Sequence, residues 1–177
     1  MKRQVRKGVF ETNSSSTHAI CIATEDVLNI PKSIDFGFGE FGWECRVRNT
    51  MQDRANYLYT AIGHVSKTFD ELHKYLTFIY ETLSKNGVED IYMDNYEIYV
   101  SNWNDKVEIM PSVDFNKGYI DHGGEAEDFV KAVCSDEDTL LHYLFSDKSY
   151  VETGNDNDDE DVDIHVDYSH KEFYKWN

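Results

Sequence analysis

The chain has 177 residues, with 34 acidic side chains against 17 lysines and arginines, and a formal net charge of −17. Its 40% hydrophobic and 14% aromatic residues suffice for a buried core, which excludes a chain that is disordered throughout. No stretch approaches the roughly 18 apolar residues of a membrane helix, and no apolar segment follows the basic N-terminus as in a secretory signal. The three cysteines form no CxxC pair, so we expect a reducing compartment.

The acidic charge is concentrated towards the C-terminus. Residues 1–120 carry 17 acids and 13 bases, whereas residues 121–167 carry 16 acids and two bases. Such a surface repels free nucleic acid and attracts basic surfaces. A protein of this charge can therefore handle a nucleic acid when a partner protein presents it.

The predicted elements begin with two strands joined by a polar loop. Residues 8–12 and 18–23 form the strands of this hairpin, and residues 13–17 form its tip. Residues 24–49 look irregular. They include a glycine-aromatic run at 36–43. We interpret this run as a flap that packs on the core beneath the loop, and the alternative is that its aromatic rings stack on nucleic-acid bases.

Two helices come next, and each has a start signal. Thr50 and Asp53 precede apolar residues at helical spacing, and Thr68 with Glu71 forms a capping box before a second apolar face. Asn86-Gly87 provides a C-terminal stop.

The remainder alternates between strands and helices. We predict strands at 88–93, 96–100, 107–110, 149–153 and 164–168 and an acidic loop at 154–163. We also predict helices at 125–134 and 136–145, the second of them capped by Asp136 or Ser135. Together, the predicted strands and helices indicate an α+β (mixed α/β) fold with a mostly antiparallel sheet and about four helices. We expect a single compact domain over residues 1–177, with a core in 1–150 and an acidic loop and terminal strand in 151–177.

The densest polar constellation lies near the N-terminus. It comprises Glu11, Asn13, Ser14, Ser15, Ser16, Thr17 and His18, with Arg6 and Lys7 just upstream. Histidine exchanges protons near neutral pH, a carboxylate can orient it, and arginine or lysine can hold a phosphate. These groups would suit cleavage of RNA by phosphoryl transfer. The alternative is a simple turn, because these polar side chains readily bond to nearby backbone.

Two further segments are candidates for chemistry. Asp121 and His122 precede two glycines, which allow both side chains to converge on one site; the alternative is a polar loop before a helix. Residues 155–163 are rich in carboxylates but lack the glycine and the bidentate glutamate of an EF-hand loop. We interpret them first as a solvated acidic loop, with a phosphate-mimicking strip that docks on a basic groove and a calcium site as the alternatives.

The run from Arg6 to His18, RKGVFETNSSSTH, resembles the N-terminal signature of small proteins from phages and mobile elements of Gram-positive bacteria. Residues 39–43, 118–122 and 152–156 fit the same resemblance. Some proteins with a similar signature are anti-CRISPR proteins against type II (Cas9) systems, and for part of that group the implied mechanism is loss of the guide RNA. The resemblance implies Cas9 and its guide RNA as partners and the bacterial cytoplasm as the location.

Given this resemblance, we interpret the signature as a functional site. His18 would be the general base or acid and Glu11 would orient it. The remaining roles are phosphate contact by Arg6 or Lys7, substrate positioning by Asn13, Ser14, Ser15, Ser16 and Thr17, and completion of the site by Asp121 and His122. Cleavage by two histidines needs no metal, whereas a divalent ion held by His18, His122 and Asp121 is the other option.

Three functions stay open at this level. The first is a nuclease-like inhibitor that cuts the guide RNA, and the second is a non-enzymatic acidic mimic that blocks the basic channel of Cas9. The third is an unrelated phage function in which the signature binds a small phosphorylated ligand. The sequence does not give the oligomeric state.

Overall fold

The computed structural model describes residues 16–24, 28–42, 44, 46–103, 106–113, 116–155 and 172–176. Four α-helices lie within these ranges: α1 Met51–Val65, α2 Phe69–Lys85, α3 Glu127–Val133 and α4 Glu137–Phe145. The strands are β1 Ser16–Ile22, β2 Ser33–Phe36, β3 Glu40–Phe41, β4 Arg46–Arg48, β5 Asp90–Met93, β6 Glu97–Trp103, β7 Lys106–Ser112, β8 Tyr119–Ile120, β9 Tyr150–Asn155 and β10 Glu172–Trp176. A 3-10 turn, Gly123–Ala126, precedes α3.

The largest sheet has four antiparallel strands in the order β10-β1-β9-β4. Its central strand, β1, is almost continuously buried, as a strand covered on both faces should be. The register sets His18 between Trp176 of β10 and Thr153 of β9. Alternation along β1 then places Ser16, His18 and Ile20 on one face.

Three two-stranded units surround this sheet. The pairs β2–β5 and β3–β8 are parallel, whereas β6 and β7 form an antiparallel ribbon. Together with the helices they confirm the predicted α+β fold with mostly antiparallel pairing.

Helix α1 is the centre of the core. It is buried on several sides, and it contacts β2, β8, β9, α3 and α4. The helix starts match the predicted signals: Thr50 Oγ1 accepts from the Asp53 N–H, Thr68 Oγ1 from the Glu71 N–H, and Asp136 caps α4. Helix α2 ends at Asn86, and Gly87 follows with a φ of 92°, which favours glycine.

Several predicted elements differ from the structure. Residues 24–49 contain three short strands, because β2, β3 and β4 pair with strands far along the chain, which no local pattern reveals. The predicted helix at 125–134 begins as a 3-10 turn. The segments at 88–93 and 96–100 belong to different sheets, and Ser16 and Thr17 are part of β1 rather than of a loop.

Other predictions fall on residues that the structure does not describe. These are the strand at 8–12, the acidic residues from 156 to 163 and the strand at 164–168, and the last described strand is Glu172–Trp176. Within the ranges given above, none of the helices combines the length and apolar character that a bilayer crossing requires.

Candidate functional site: a buried histidine beside the second polar loop

Three residues of the N-terminal signature lie on β1 and can be described. Ser16, Thr17 and His18 belong to the first half of that strand, while Asp121 and His122 form the turn after β8. The other candidates, Arg6, Lys7, Glu11, Asn13, Ser14 and Ser15, lie outside the described residues.

His18 is completely buried and uses both ring nitrogens. Its Nε2 lies 3.0 Å from Ser16 Oγ and its Nδ1 lies 3.0 Å from Tyr57 Oη. The Trp176 ring stacks on the imidazole, with centroids 5.5 Å apart and planes 11° from parallel. Strand alternation brings Ser16 to the face of His18, and α1 supplies Tyr57 from above that face. The imidazole is thus held by a hydroxyl at each nitrogen and by an indole.

Burial keeps His18 neutral. Loss of hydration lowers the pKa of the imidazole to about 4, although a hydrogen bond to the Asp121 backbone and the charge of Asp121 act in the opposite direction. Burial also raises the pKa of Tyr57 well above its usual value, so its hydroxyl stays protonated. At neutral pH one nitrogen of His18 therefore donates and the other accepts, and the two hydroxyls can match either tautomer.

The second polar loop meets the first at this histidine. Asp121 affects the pKa of His18 through its charge and its backbone, and the charge of His122 lowers the same pKa. His122 has a φ of 56°, in the left-handed region, and its Nδ1 lies 3.9 Å from Glu125 Oε1. His18 is therefore buried while His122 is exposed at the surface nearby.

The contact between Ser16 and His18 has the distance of an activated nucleophile and its base. The third group is a phenol rather than a carboxylate, and both Ser16 and His18 have an exposed fraction of 0%. A substrate reaches neither side chain in this conformation. The arrangement is that of a satisfied buried network, and catalysis by His18 would need a local opening of the sheet or of α1.

The metal alternative finds no support in the described part of the chain. No three histidine, cysteine, aspartate or glutamate side chains converge there to hold an ion, so His18, His122 and Asp121 do not form the expected ligand set. The physical reason is that both nitrogens of His18 already face hydroxyl groups.

Sequence reasoning missed two partners of this histidine, Tyr57 and Trp176. Tyr57 occupied a place in the apolar pattern of α1, which gave no sign that its hydroxyl reaches His18. Trp176 had no assigned role. A contact beside the second polar loop was also missed, because the Nε2 of His64 on α1 accepts from the Ile120 N–H at 3.1 Å. In addition, an added Cβ at Gly123 would come within 2.7 Å of the His64 ring, so only glycine fits there.

Two other groups of candidates behave as core residues. Phe36 and Phe41 of the glycine-aromatic run are 2% exposed, which agrees with their interpretation as core rather than as a stacking platform. Cys21 and Cys134 are buried and form no disulfide, and burial raises the pKa of Cys134, so neither has the features of a reactive thiolate.

Comparison of this chain with protein-family models, with curated proteins and with solved structures finds no match.

Proposed function

We propose that this chain is a non-enzymatic inhibitor whose acidic C-terminal third docks on a basic, nucleic-acid-binding surface of a partner protein. The resemblance of the N-terminal signature to phage and mobile-element anti-CRISPR proteins makes Cas9 with its guide RNA the partner to test first. In this proposal the acidic side chains occupy the place of phosphate groups and exclude nucleic acid from the partner's channel.

The observation that supports this proposal is the display of acidic side chains on one stretch of the fold. Five carboxylates between residues 121 and 155 are exposed: Glu125, Asp128, Asp136, Asp138 and Asp147. Only two lysines lie in this range, and Lys131 is bonded to Glu127 at 2.5 Å. These five groups face solvent and are therefore accessible to a basic surface.

Guide-RNA cleavage is the second candidate, because one observation favours it. Asp121 and His122 lie close enough to His18 to change its pKa, as a composite site requires. However, His18 is buried and both of its nitrogens are bonded, so the cleavage mechanism needs an additional opening step. The binding proposal needs none.

The two candidates separate in an experiment with purified Cas9, guide RNA and target DNA. The chain is added before the target, DNA cleavage is measured, and the guide RNA is run on a denaturing gel with and without EDTA. We expect inhibition of DNA cleavage with intact guide RNA in every lane. Because the contact is electrostatic, inhibition should weaken as salt rises from about 50 mM to about 200 mM.

Charge variants sharpen this test. Asp128→Asn with Asp138→Asn removes two exposed charges from the first turns of α3 and α4 and should weaken inhibition about fivefold. Asp70→Asn with Glu81→Gln removes the same charge from α2 and serves as the control. The proposal is wrong if both pairs act equally. Shortened guide RNA with wild type, lost in His18→Gln, would establish the nuclease instead.

A further inference from the structure

An open cavity of about 480 Å³ lies between the β2–β5 pair and the first turns of α1. Its polar lining includes Asp35, Gln52, Asn56, Tyr92 and Asp94. The lining of the cavity shares no residue with the His18 network or with the acidic residues of α3 and α4.

The side chains of the lining carry more acceptors than donors. Gln52 Nε2 donates to the Asp35 carbonyl and to Asn56 Oδ1, each at 2.8 Å, and the Gly37 N–H also donates to Asn56 Oδ1. The amide donor of Gln52 is thus used within the protein, whereas no ion pair between described residues involves the carboxylates of Asp35 or Asp94. Such a lining attracts a cation and repels a phosphate.

An aromatic ring completes the cavity. Tyr92 lies on its rim and is 61% exposed, so the face of its phenol is accessible to a ligand. Cations bind favourably over aromatic faces. Among biological cations, guanidinium fits this lining best, because its planar set of N–H donors can serve both carboxylates together.

The ribbon β6–β7 continues from this cavity. Three residues separate the end of β5 from the start of β6, so Asp94 and Ile98 lie at most about 14 Å apart along the chain. Val100 pairs with Ile109, and Ile98 lies two residues before Val100, which puts all three on one face of the ribbon. Ile98 is 67% exposed, Val100 is 57% exposed and Ile109 is 58% exposed. A contiguous exposed aliphatic face of this kind marks an interaction surface.

We propose that the cavity and this face of the ribbon form one docking surface for a basic segment of a partner protein. An arginine side chain of the segment enters the cavity, and aliphatic side chains of the same segment lie on Ile98, Val100 and Ile109. The proposal takes from the proposed function only the expectation that the partner is basic. A second copy of the chain is a poor occupant, because two molecules of charge −17 repel each other.

The test is an NMR titration of the full-length ¹⁵N-labelled chain with a synthetic peptide. The probe carries one arginine a few residues ahead of an alternating valine–threonine run. The control peptide has citrulline in place of arginine, which keeps the shape and removes the charge. We expect shifts at residues 35–37, 92–94 and 98–100 with the arginine peptide, and binding about tenfold weaker with citrulline.

Variants test each half of the surface. Asp94→Asn should weaken binding of the arginine peptide about tenfold, and Asp35→Asn should do the same. Ile98→Ser should weaken it about threefold. Val47→Ser is the control, because Val47 is 55% exposed but lies on β4, in a different sheet.

Several results would overturn the proposal. One is equal binding of the citrulline and arginine peptides, and another is a set of shifts confined to other parts of the chain. A third is a wild-type dimer in sedimentation equilibrium that Ile98→Ser dissociates, which would identify the ribbon face as a self-association surface. Because no Cas9 is present, failure here leaves the proposed function standing, and peptide binding alone does not support an effect on Cas9.

Discussion

The interior around α1 and the β6–β7 ribbon reverse the usual distribution of polar and apolar residues. Polar side chains lie inside around α1, where His18, Ser16 and Arg54 are at most 2% exposed, whereas Ile98 and Ile109 on the ribbon are more than half exposed. The Ser16 hydroxyl, both ring nitrogens of His18 and both terminal nitrogens of Arg54 have partners within the fold, so folding accounts for them. The exposed aliphatic side chains are not packed against the rest of the fold to a comparable degree, so their exposure is explained better by an interaction with a partner than by folding.

Arg54 is bonded through both terminal nitrogens of its guanidinium, whereas its Nε has no partner among the described residues. Its Nη1 donates to the carbonyls of Asn49 and Ser149 at 2.5 and 2.6 Å, and its Nη2 donates to the Leu144 carbonyl at 2.7 Å. In return, Tyr143 Oη donates to the Arg54 carbonyl at 2.9 Å. A single guanidinium thus connects α1 to the end of α4 and to the segment before β9.

The largest effect is expected from Arg54→Met, which keeps most of the apolar volume and removes the guanidinium. Three carbonyls would lose their donor, at a cost of about 3–5 kcal/mol in the free energy of unfolding. Chemical denaturation followed by circular dichroism measures this loss. Arg46→Met, at an exposed position on β4, is the matched control and should change stability by less than about 0.5 kcal/mol. Equal losses in both variants would show that Arg54 does not hold the interior together.

The next effect concerns pH. The pKa of His18 is about 4 in the folded chain against 6.5 for the free side chain, so the unfolded state binds more protons between these values. Stability from this group is complete above about pH 6.5 and is lost as pH falls towards 4, on the order of 3 kcal/mol in all. His18→Gln should therefore flatten the pH dependence of unfolding over this window.

Carboxylates also titrate in this range, but they are common to both proteins and cancel in the difference. His73→Gln provides the control, because His73 is an exposed histidine on α2 and its replacement should leave the pH profile unchanged. If His18→Gln and wild type lose stability in parallel as pH falls, His18 is not held neutral by burial.

Local signals predicted much of the fold. The caps at Thr50 and Thr68 depend on side chains within three residues, and both were identified from the sequence, whereas the sequence left Asp136 and Ser135 as alternatives for α4, which Asp136 caps. The short strands β2, β3 and β4 were missed because their pairing partners lie far along the chain. For the same reason, the sequence could not show that β5 and β6, the strands on either side of residues 94–95, belong to different sheets.

The candidate site was predicted only in part. The sequence identified His18, Asp121 and His122 as residues that would act together, and the structure brings them near one another. It gave no sign that His18 is buried, because burial depends on Tyr57 of α1 and Trp176 of β10, which are distant in sequence. A polar motif therefore indicates that side chains have partners, but not whether those partners are a substrate or the core.

The smallest effect on stability is expected at the ribbon, and it tests the comparison most directly. Ile98→Ser should change the free energy of unfolding by less than about 0.5 kcal/mol, because the side chain is 67% exposed in the folded chain. The same substitution at Ile79, which is 0% exposed on α2, should cost about 3 kcal/mol or more, since it removes buried methyl groups and introduces a hydroxyl without a partner. Denaturation of the two variants side by side measures the contrast. A loss at Ile98 approaching that at Ile79 would mean that the ribbon face is covered in solution and contributes to folding. A small loss at Ile98 would mean that the aliphatic face contributes little to stability. Its exposure would then have to be explained by what it binds.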